Sequence, residues 1–183
     1  IINWGKEHTN ETRVSLEAVD KIFRPEPDLY IVDYKKAVFN KIPEYLFSKK
    51  ITNTKMSKFS QCNNLDEIPE DLFKNCTNVE YFNSTFYGCT NITSIPENLF
   101  KYNINATSFN FTLGSTSIKS IPENLFSTNN NINNISYAFK SCNQLTTIPQ
   151  SIINKALSIS SHNQTFRDCT SASNYSTLPA ELK

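Results

Sequence analysis

The chain has 183 residues, a formal net charge of +1 and 38% hydrophobic residues. So small a net charge gives no electrostatic field for nucleic acid or anionic lipid. No apolar run approaches the roughly 18 residues of a membrane-spanning helix, and three glycines leave no glycine-rich phosphate loop. We therefore expect no nucleic-acid partner, no membrane span and no cofactor.

The segment 1–41 does not show a clear repeat. Apolar runs near Ile1 and Leu29 predict two short strands, and the apolar spacing over 14–23 predicts a short amphipathic helix. Pro25 and Pro27 end that helix, because proline lacks a backbone donor and restricts the residue before it.

From residue 42 onward the chain repeats the motif Ile-Pro-Glu-x-Leu-Phe. Copies begin at Ile42, Ile68, Ile95 and Ile121, and weaker copies begin at Ile148 and Leu178. The residue numbers of successive starts differ by 26, 27, 26, 27 and 30. A nearly fixed period of this size is typical of a solenoid, whose stacked units bury a shared core. Positions are counted below from the first residue of each copy, so that the proline occupies position +1.

Other apolar residues recur at fixed positions within each copy. Position +18 is Phe86, Phe139 or Phe166, position +21 is Cys89, Cys142 or Cys169, and position +24 is Ile92, Leu145 or Ala172. The first copy has this trio one place early, as Phe59, Cys62 and Leu65, and the third copy substitutes Leu113 and Thr116. No copy can bury these residues alone, so we interpret 42–183 as the solenoid and 1–41 as its N-terminal cap.

The segments just before each proline predict short parallel strands, as in Ile92–Ile95 and Leu145–Ile148. Proline then ends the strand and opens a helical turn, such as Glu97–Phe100. The spacing of Thr147 and Gln150, and of the matching pairs Ser94 with Glu97 and Ser120 with Glu123, fits a capping box. The fold prediction is an α/β solenoid, leucine-rich-repeat-like, with about five coils of 26–30 residues. The last copy stops at Lys183, before its expected phenylalanine, which predicts a fragment of a longer chain.

The pattern Phe-x-x-Cys-x-x-Leu-x-x-Ile-Pro resembles the BspA-like leucine-rich-repeat surface proteins of bacteria, in the variant with Ile-Pro-x-x-Leu-Phe in each coil. The resemblance covers 42–183 well and 1–41 loosely, where Trp4 and Gly5 look like the opening strand of those domains. Thr116, His162 and Ala172 depart from the pattern. The resemblance implies an extracellular or cell-surface protein that binds host or neighbouring-cell surface proteins, matrix or glycans. It supplies no catalytic residues.

The polar residues of the segments before each proline are the candidate binding site. They are Thr93, Ser94, Lys119, Ser120, Thr146 and Thr147, flanked by Asp66 and Glu67 in an earlier copy and by Ser176 and Thr177 in the last. Solenoids use such regular faces to bind partners. The alternative is that serine and threonine are simply suitable polar strand residues.

Other residues have structural interpretations that compete with functional ones. Four cysteines share one position, and the sequence favours free thiols over disulfides because equivalent side chains point the same way and Thr116 interrupts the column. The glutamates Glu44, Glu70, Glu97 and Glu123 could bind Ca²⁺, but helix capping explains them better. His162 is expected to be a core imidazole, and His8 a loop residue. Nine Asn-x-Ser/Thr sequons, at 10, 75, 83, 91, 105, 110, 134, 163 and 174, partly reflect repetition.

Together these features predict a non-enzymatic protein-interaction or adhesion module. One alternative is a structural spacer that displays another domain, and another is the recognition domain of a larger secreted enzyme or toxin. The tyrosines Tyr81, Tyr87, Tyr102, Tyr137 and Tyr175 share no repeat position, and we expect them to fill surface grooves.

Overall fold

The computed structural model describes residues 35–36, 40–42, 46–47 and 54–183. The strands predicted near Ile1 and Leu29 and the helix predicted over 14–23 lie outside the described residues, as do His8, Glu44 and nearly all of the predicted N-terminal cap. Within the described part, no helix is long and apolar enough to cross a membrane.

The repeat positions form one continuous hydrophobic core. The residues predicted to face inward at +18, +21 and +24 are buried in every described copy, including the substitutes Leu113 and Thr116. Phenylalanines at position +5 stack along the core, with ring centroids 6.0 Å apart between Phe73 and Phe100 and 5.9 Å apart between Phe100 and Phe126. Each copy therefore completes its core only against its neighbours, as the period predicts.

Backbone hydrogen bonds join successive copies at positions +14 to +20, where the sequence predicts no strand. Between the copies that begin at Ile68 and Ile95, the donors are the amides of Phe82, Ser84, Phe86 and Gly88, and the acceptors are the carbonyls of Ser108, Asn110, Thr112 and Gly114. The same alternation joins the next pairs of copies, and parallel β-bridges link Lys55 to Tyr81, Tyr81 to Ser108, Ser108 to Asn134 and Asn134 to Ser161. The described part is a solenoid in which each copy extends a parallel ladder.

The structure corrects the prediction of strands at Ile92–Ile95 and Leu145–Ile148. Both segments are irregular in the structure, and neighbouring segments are joined by single backbone bonds, such as Lys119 N to Thr93 O at 3.0 Å. The proline that follows each segment supplies no N–H to extend a ladder. The bonding between copies is instead concentrated at +12 to +20, because amides at +12 and +13 also donate to the +12 carbonyl of the preceding copy.

In the four copies that begin at Ile68, Ile95, Ile121 and Ile148, the segment at +14 to +20 contains two residues with left-handed backbone. Position +16 has φ of 55° at Ser84, 55° at Phe111, 59° at Tyr137 and 52° at Gln164. Position +20 has φ of 73° at Gly88, 57° at Ser115, 59° at Ser141 and 63° at Asp168. Residues that carry a Cβ disfavour this conformation. Most of these positions nevertheless hold residues other than glycine, so the sequence does not mark them as left-handed.

Helix is confined to the C-terminal part of the described chain. Helix α1 spans Gln150–Leu157, and 3₁₀-helices span Tyr175–Thr177 and Ala180–Leu182. The matching segments of earlier copies are turns closed by bonds such as Leu99 N to Pro96 O at 3.2 Å, which corrects the prediction of a helix in each coil. Position +8 holds Ala156 within α1, whereas in the third copy it holds Asn103, whose side chain donates to a carbonyl of the preceding copy.

The predicted capping box of Thr147 with Gln150 is wrong for α1. The N-cap is Pro149, and no side chain bonds to the first amides of the helix. Gln150 Nε2 instead donates to Asn154 Oδ1 at 2.8 Å, and Thr147 Oγ1 donates to Asn174 Oδ1 at 3.4 Å. Because Pro149 has no N–H, a Gln150 side chain that reached back to the N-cap would find no donor there.

Small polar side chains inside the core also join the copies. Asn103 Nδ2 donates to the carbonyls of Phe73 and Cys76, and Asn129 Nδ2 donates to those of Phe100 and Asn103, at 2.8 to 3.1 Å. The hydroxyl of Thr112 donates back to Phe82 O at 2.8 Å. These fully buried donors satisfy carbonyls of the preceding copy, which is the condition for burying them without a large cost.

The last copy leaves the repeat. Its 3₁₀-helix Ala180–Leu182 places Glu181 and Leu182 against the copy before, where their carbonyls accept the amides of Gln164 and Phe166 at 2.6 and 2.8 Å. Leu182 is fully buried. The chain therefore returns to the ladder well before a full repeat has passed.

Replacing Phe100 by alanine tests the shared core. Phe100 contacts the rings of Phe73, Phe82, Phe109 and Phe126, with centroids 4.7 to 6.0 Å apart. Phe100→Ala should lower the free energy of unfolding by about 3–5 kcal/mol, since it leaves a cavity shared by several copies. Ile104→Ala is the control, because Ile104 is 55% exposed, and its effect should stay within about 0.5 kcal/mol. Urea denaturation measures both, and equal effects would contradict a core shared between copies.

Candidate functional site

The structure brings the six predicted site residues onto one exposed face. Thr93, Ser94, Lys119, Ser120, Thr146 and Thr147 are all exposed. Lys119 N donates to Thr93 O at 3.0 Å, and Thr146 donates to Lys119 O at 3.1 Å from both its amide and its hydroxyl. We call this the Leu-x-x-Ile face, formed by these six residues with one pair from each of three successive copies.

The predicted register of this face is wrong at its C-terminal end. Ser173 N donates to Thr146 O at 2.9 Å, so Ser173 continues the column, whereas Ser176 and Thr177 lie in the 3₁₀-helix Tyr175–Thr177. The interval between the starts at Ile148 and Leu178 is the longest in the repeat, and this helix takes up the additional length. At the other end, Glu67 forms an exposed ion pair with Lys41 at 3.0 Å.

Asn174 shows that a carboxamide can hydrogen-bond to the backbone of this face. Its carboxamide takes the Ile148 amide at 3.0 Å and donates to the Ile148 carbonyl at 2.9 Å. In the two preceding copies the short side chains of Ser120 and Thr147 make no such pair with Ile95 and Ile121. Within the part of the chain that the structure describes, the amides of Ile95 and Ile121 have no protein acceptor. The Leu-x-x-Ile face therefore combines exposed hydroxyls with unpaired backbone donors.

One carboxylate of the glutamate column accepts a backbone amide. Glu70 Oε1 accepts the amide of Asn98, in the next copy, at 3.0 Å. The carboxylate thus caps a neighbouring turn and not its own. No group of three or more histidine, cysteine, aspartate or glutamate side chains in the described ranges is arranged to hold a metal ion.

His162 is partly exposed, which corrects its prediction as a core residue. It occupies the position held by Phe82, Phe109 and Ile135 in earlier copies, but it lies on the last full turn of the stack. Its Nδ1 lies 2.5 Å from Ile159 O, and its own carbonyl accepts the Thr165 hydroxyl at 2.6 Å. These local hydrogen bonds explain the position of the imidazole without a catalytic role.

The five cysteines are free and fully buried. The prediction of free thiols is confirmed for the repeated column, and Cys76 outside it is also free. Three thiols of the column donate to a carbonyl of the preceding copy, as in Cys89 Sγ to Phe59 O at 2.9 Å and Cys169 Sγ to Phe139 O at 3.0 Å. The hydrogen bond to Cys62 and burial raise the pKa of Cys89, and burial raises the pKa of Cys76 to about 12. Such thiols are poor nucleophiles at neutral pH, because the thiolate is the reactive form.

The Cys76 thiol predicts a loss of stability at high pH. Its pKa is about 12 in the folded chain against an ordinary value of 9.0, so its contribution is complete below pH 9 and falls as the pH rises toward 12. The difference in unfolding free energy between the wild type and Cys76→Ala should narrow by about 2 kcal/mol between pH 8 and 10.5. Urea denaturation across that range measures it. Parallel curves for the two proteins would show that Cys76 titrates normally.

A second exposed surface lies on the edge formed by positions +16 to +20, and the sequence analysis missed it. Tyr87, Phe111 and Tyr137 are all partly exposed and in contact. The rings of Phe111 and Tyr137 stack with centroids 4.6 Å apart, and Tyr87 meets Phe111 edge-on at 5.7 Å. The three residues occupy positions +19, +16 and +16, so no single column in the sequence marks them.

The chain matches no protein-family model and no curated protein. Among solved structures it is similar to a leucine-rich repeat protein from Bacteroides ovatus (20% identity over 75% of this chain and 30% of that chain, TM-score 0.41). It is also similar to a chain of the Toll–Spatzle complex of Drosophila, with 18% identity over 64% of this chain and 16% of that chain and a TM-score of 0.43. A third similar structure is a leucine rich cell surface protein from Faecalibacterium prausnitzii, with 18% identity over 56% of this chain and 31% of that chain and a TM-score of 0.31. The chain spans less than a third of the length of each.

Proposed function

We propose that this chain is a non-enzymatic protein-interaction module of the leucine-rich-repeat class, BspA-like, on a bacterial cell surface or in a secreted protein. The partner is a host or neighbouring-cell surface or matrix protein, and the Leu-x-x-Ile face is its docking site. The observation that carries the proposal is the alignment of six exposed residues in one column, with Thr93, Lys119 and Thr146 bonded in series.

The chemistry of the face suits a polypeptide partner. Hydroxyls of serine and threonine both donate and accept, and their small size lets a partner's backbone approach. The unpaired amides of Ile95 and Ile121 add donors at fixed spacing. Asn174 already binds the equivalent backbone of Ile148 through a carboxamide, the same group that a peptide bond presents.

The titratable groups favour binding over catalysis. Cys76, Cys89 and Cys169 are held neutral by raised pKa values, so they do not supply a nucleophile. Burial works to raise the pKa of Cys142, whereas hydrogen bonds with Cys169 and Thr116 lower it, but this thiol is fully buried in the core. The carboxylate of Glu70 is used as an acceptor for a backbone amide. A rigid stack with exposed polar columns presents a fixed pattern of donors, which lowers the entropic cost of association.

Two lysines on the Leu-x-x-Ile face test the docking site. Thr93→Lys with Thr146→Lys places long cations over the column and should weaken binding at least about 10-fold, because truncating or blocking a central contact commonly costs that much. The measurement is saturable binding of the purified chain to immobilised fibronectin, fibrinogen, laminin and collagen.

A matched control adds the same charge elsewhere. Asn124→Lys with Ser151→Lys alters exposed residues on the edge that follows the prolines, in two neighbouring copies, and should leave binding unchanged. Equal loss in both double variants would indicate a nonspecific charge effect and reject the face. A folded chain that binds none of the four proteins would favour the structural spacer instead.

A further inference from the structure

The aromatic surface at Tyr87, Phe111 and Tyr137 is not required by the fold. Position +16 holds Phe111 and Tyr137 in two copies but Ser84 and Gln164 in two others, with the same left-handed backbone in all four. The ladder therefore tolerates a small or polar side chain at this position. Aromatic side chains with partial exposure and a disfavoured φ add nothing that the ladder needs.

Tyr87 rests on a glycine of the next copy. A Cβ at Gly114 would lie 3.3 Å from Tyr87 Cδ2 and 3.3 Å from the carbonyl of Tyr137, so any side chain there would crowd the ring. The corresponding position holds Lys140 and Arg167 in later copies. Glycine in the third copy thus leaves room for the Tyr87 ring beside Phe111.

An open cleft adjoins this ring. It has a volume of about 510 Å³, and its lining includes Tyr87, Ser115 and the exposed amide side chains of Gln61 and Asn63. The described residues that line it include one cation, Lys36, and no carboxylate. The size falls within the range of small-ligand sites. Its lining is an aromatic ring beside several hydrogen-bonding groups.

We propose that this cleft binds an oligosaccharide that contains a carboxylated sugar. A pyranose ring has a C–H face, which packs on the negative face of an aromatic ring, and hydroxyls at its rim, which bond to primary amides such as those of Gln61 and Asn63. Lys36 supplies a counter-charge for a sugar carboxylate. A protein partner would instead be expected to need a larger apolar centre than one tyrosine beside amides.

The test uses two soluble probes, a hyaluronan tetrasaccharide, which contains glucuronate, and chitotetraose, which is neutral. Calorimetry and saturation-transfer NMR should show saturable binding of the hyaluronan tetrasaccharide and weaker binding of chitotetraose. Tyr87→Ala should weaken binding at least about 10-fold, as loss of an aromatic anchor does, whereas Tyr87→Phe should retain it. Lys36→Gln should abolish the preference for the acidic probe.

Tyr102→Ala is the matched control. Tyr102 is also a partly exposed tyrosine, close to Lys74 and Lys101 and not among the residues that line the cleft, and its loss should not change binding. If Tyr87→Ala fails to fold, Gln61→Ala at an exposed position decides in its place, with the same expected loss. Thr93→Lys with Thr146→Lys should leave oligosaccharide binding intact, so this proposal and the protein-docking face fail separately.

Three results would overturn the proposal. They are no saturable binding of either oligosaccharide, equal affinity for the acidic and neutral probes, and unchanged affinity after Tyr87→Ala. Loss of binding to a matrix protein in Tyr87→Ala, with neither oligosaccharide bound, would assign the aromatic surface to a protein partner.

Discussion

Each copy of this chain is tied to the next by backbone hydrogen bonds that lie in a doubly turned segment at positions +14 to +20. Four amides of one copy, as at Phe82, Ser84, Phe86 and Gly88, donate to four carbonyls of the next. In the four copies that begin at Ile68, Ile95, Ile121 and Ile148, two positions of this segment have left-handed backbone, and Gly88 is the only glycine among those eight residues. The stacked phenylalanines then bury the faces that the ladder brings together. The spacing of the copies is nearly constant because each copy must bring the same positions into the ladder.

The buried polar side chains donate in the direction opposite to these four amides. Asn129, Thr112 and Cys89 each donate to a carbonyl of the preceding copy. Asparagine, threonine and cysteine are small donors, so they fit inside a stack with little room between copies and satisfy carbonyls that would otherwise be unpaired. The exposed positions, by contrast, can hold different residues from copy to copy. On the Leu-x-x-Ile face and on the aromatic edge the copies differ from one another, which is where differences in binding can be encoded without disturbing the stack.

The period and the inward positions could be predicted because hydrophobic burial repeats with the chain: Phe86, Cys89 and Ile92 are buried, as their spacing indicates. The position of the ladder could not, since left-handed residues such as Ser84 and Tyr137 have no glycine to mark them. The sequence predicts a helical turn after the proline in each copy, yet within the described residues α-helix forms only at Gln150–Leu157, and no single repeat position accounts for the difference. The exposure of Thr93 and Thr146 was predictable from their place between buried neighbours. The aromatic surface was not, because its contacts join different positions in neighbouring copies.

Amide hydrogen exchange tests the central claim, that the turns at +14 to +20 and not the segments before the prolines hold the copies together. The amides of Phe86, Leu113 and Phe139 donate across the ladder at 2.8 to 2.9 Å, and they should exchange only through global unfolding. The amides of Ser120 and Thr147, which have no protein acceptor within the described residues, should exchange at least about 100-fold faster. Strong protection at Ser120 and Thr147 with rapid exchange at Phe86 and Phe139 would contradict the account and place the ladder on the Leu-x-x-Ile face.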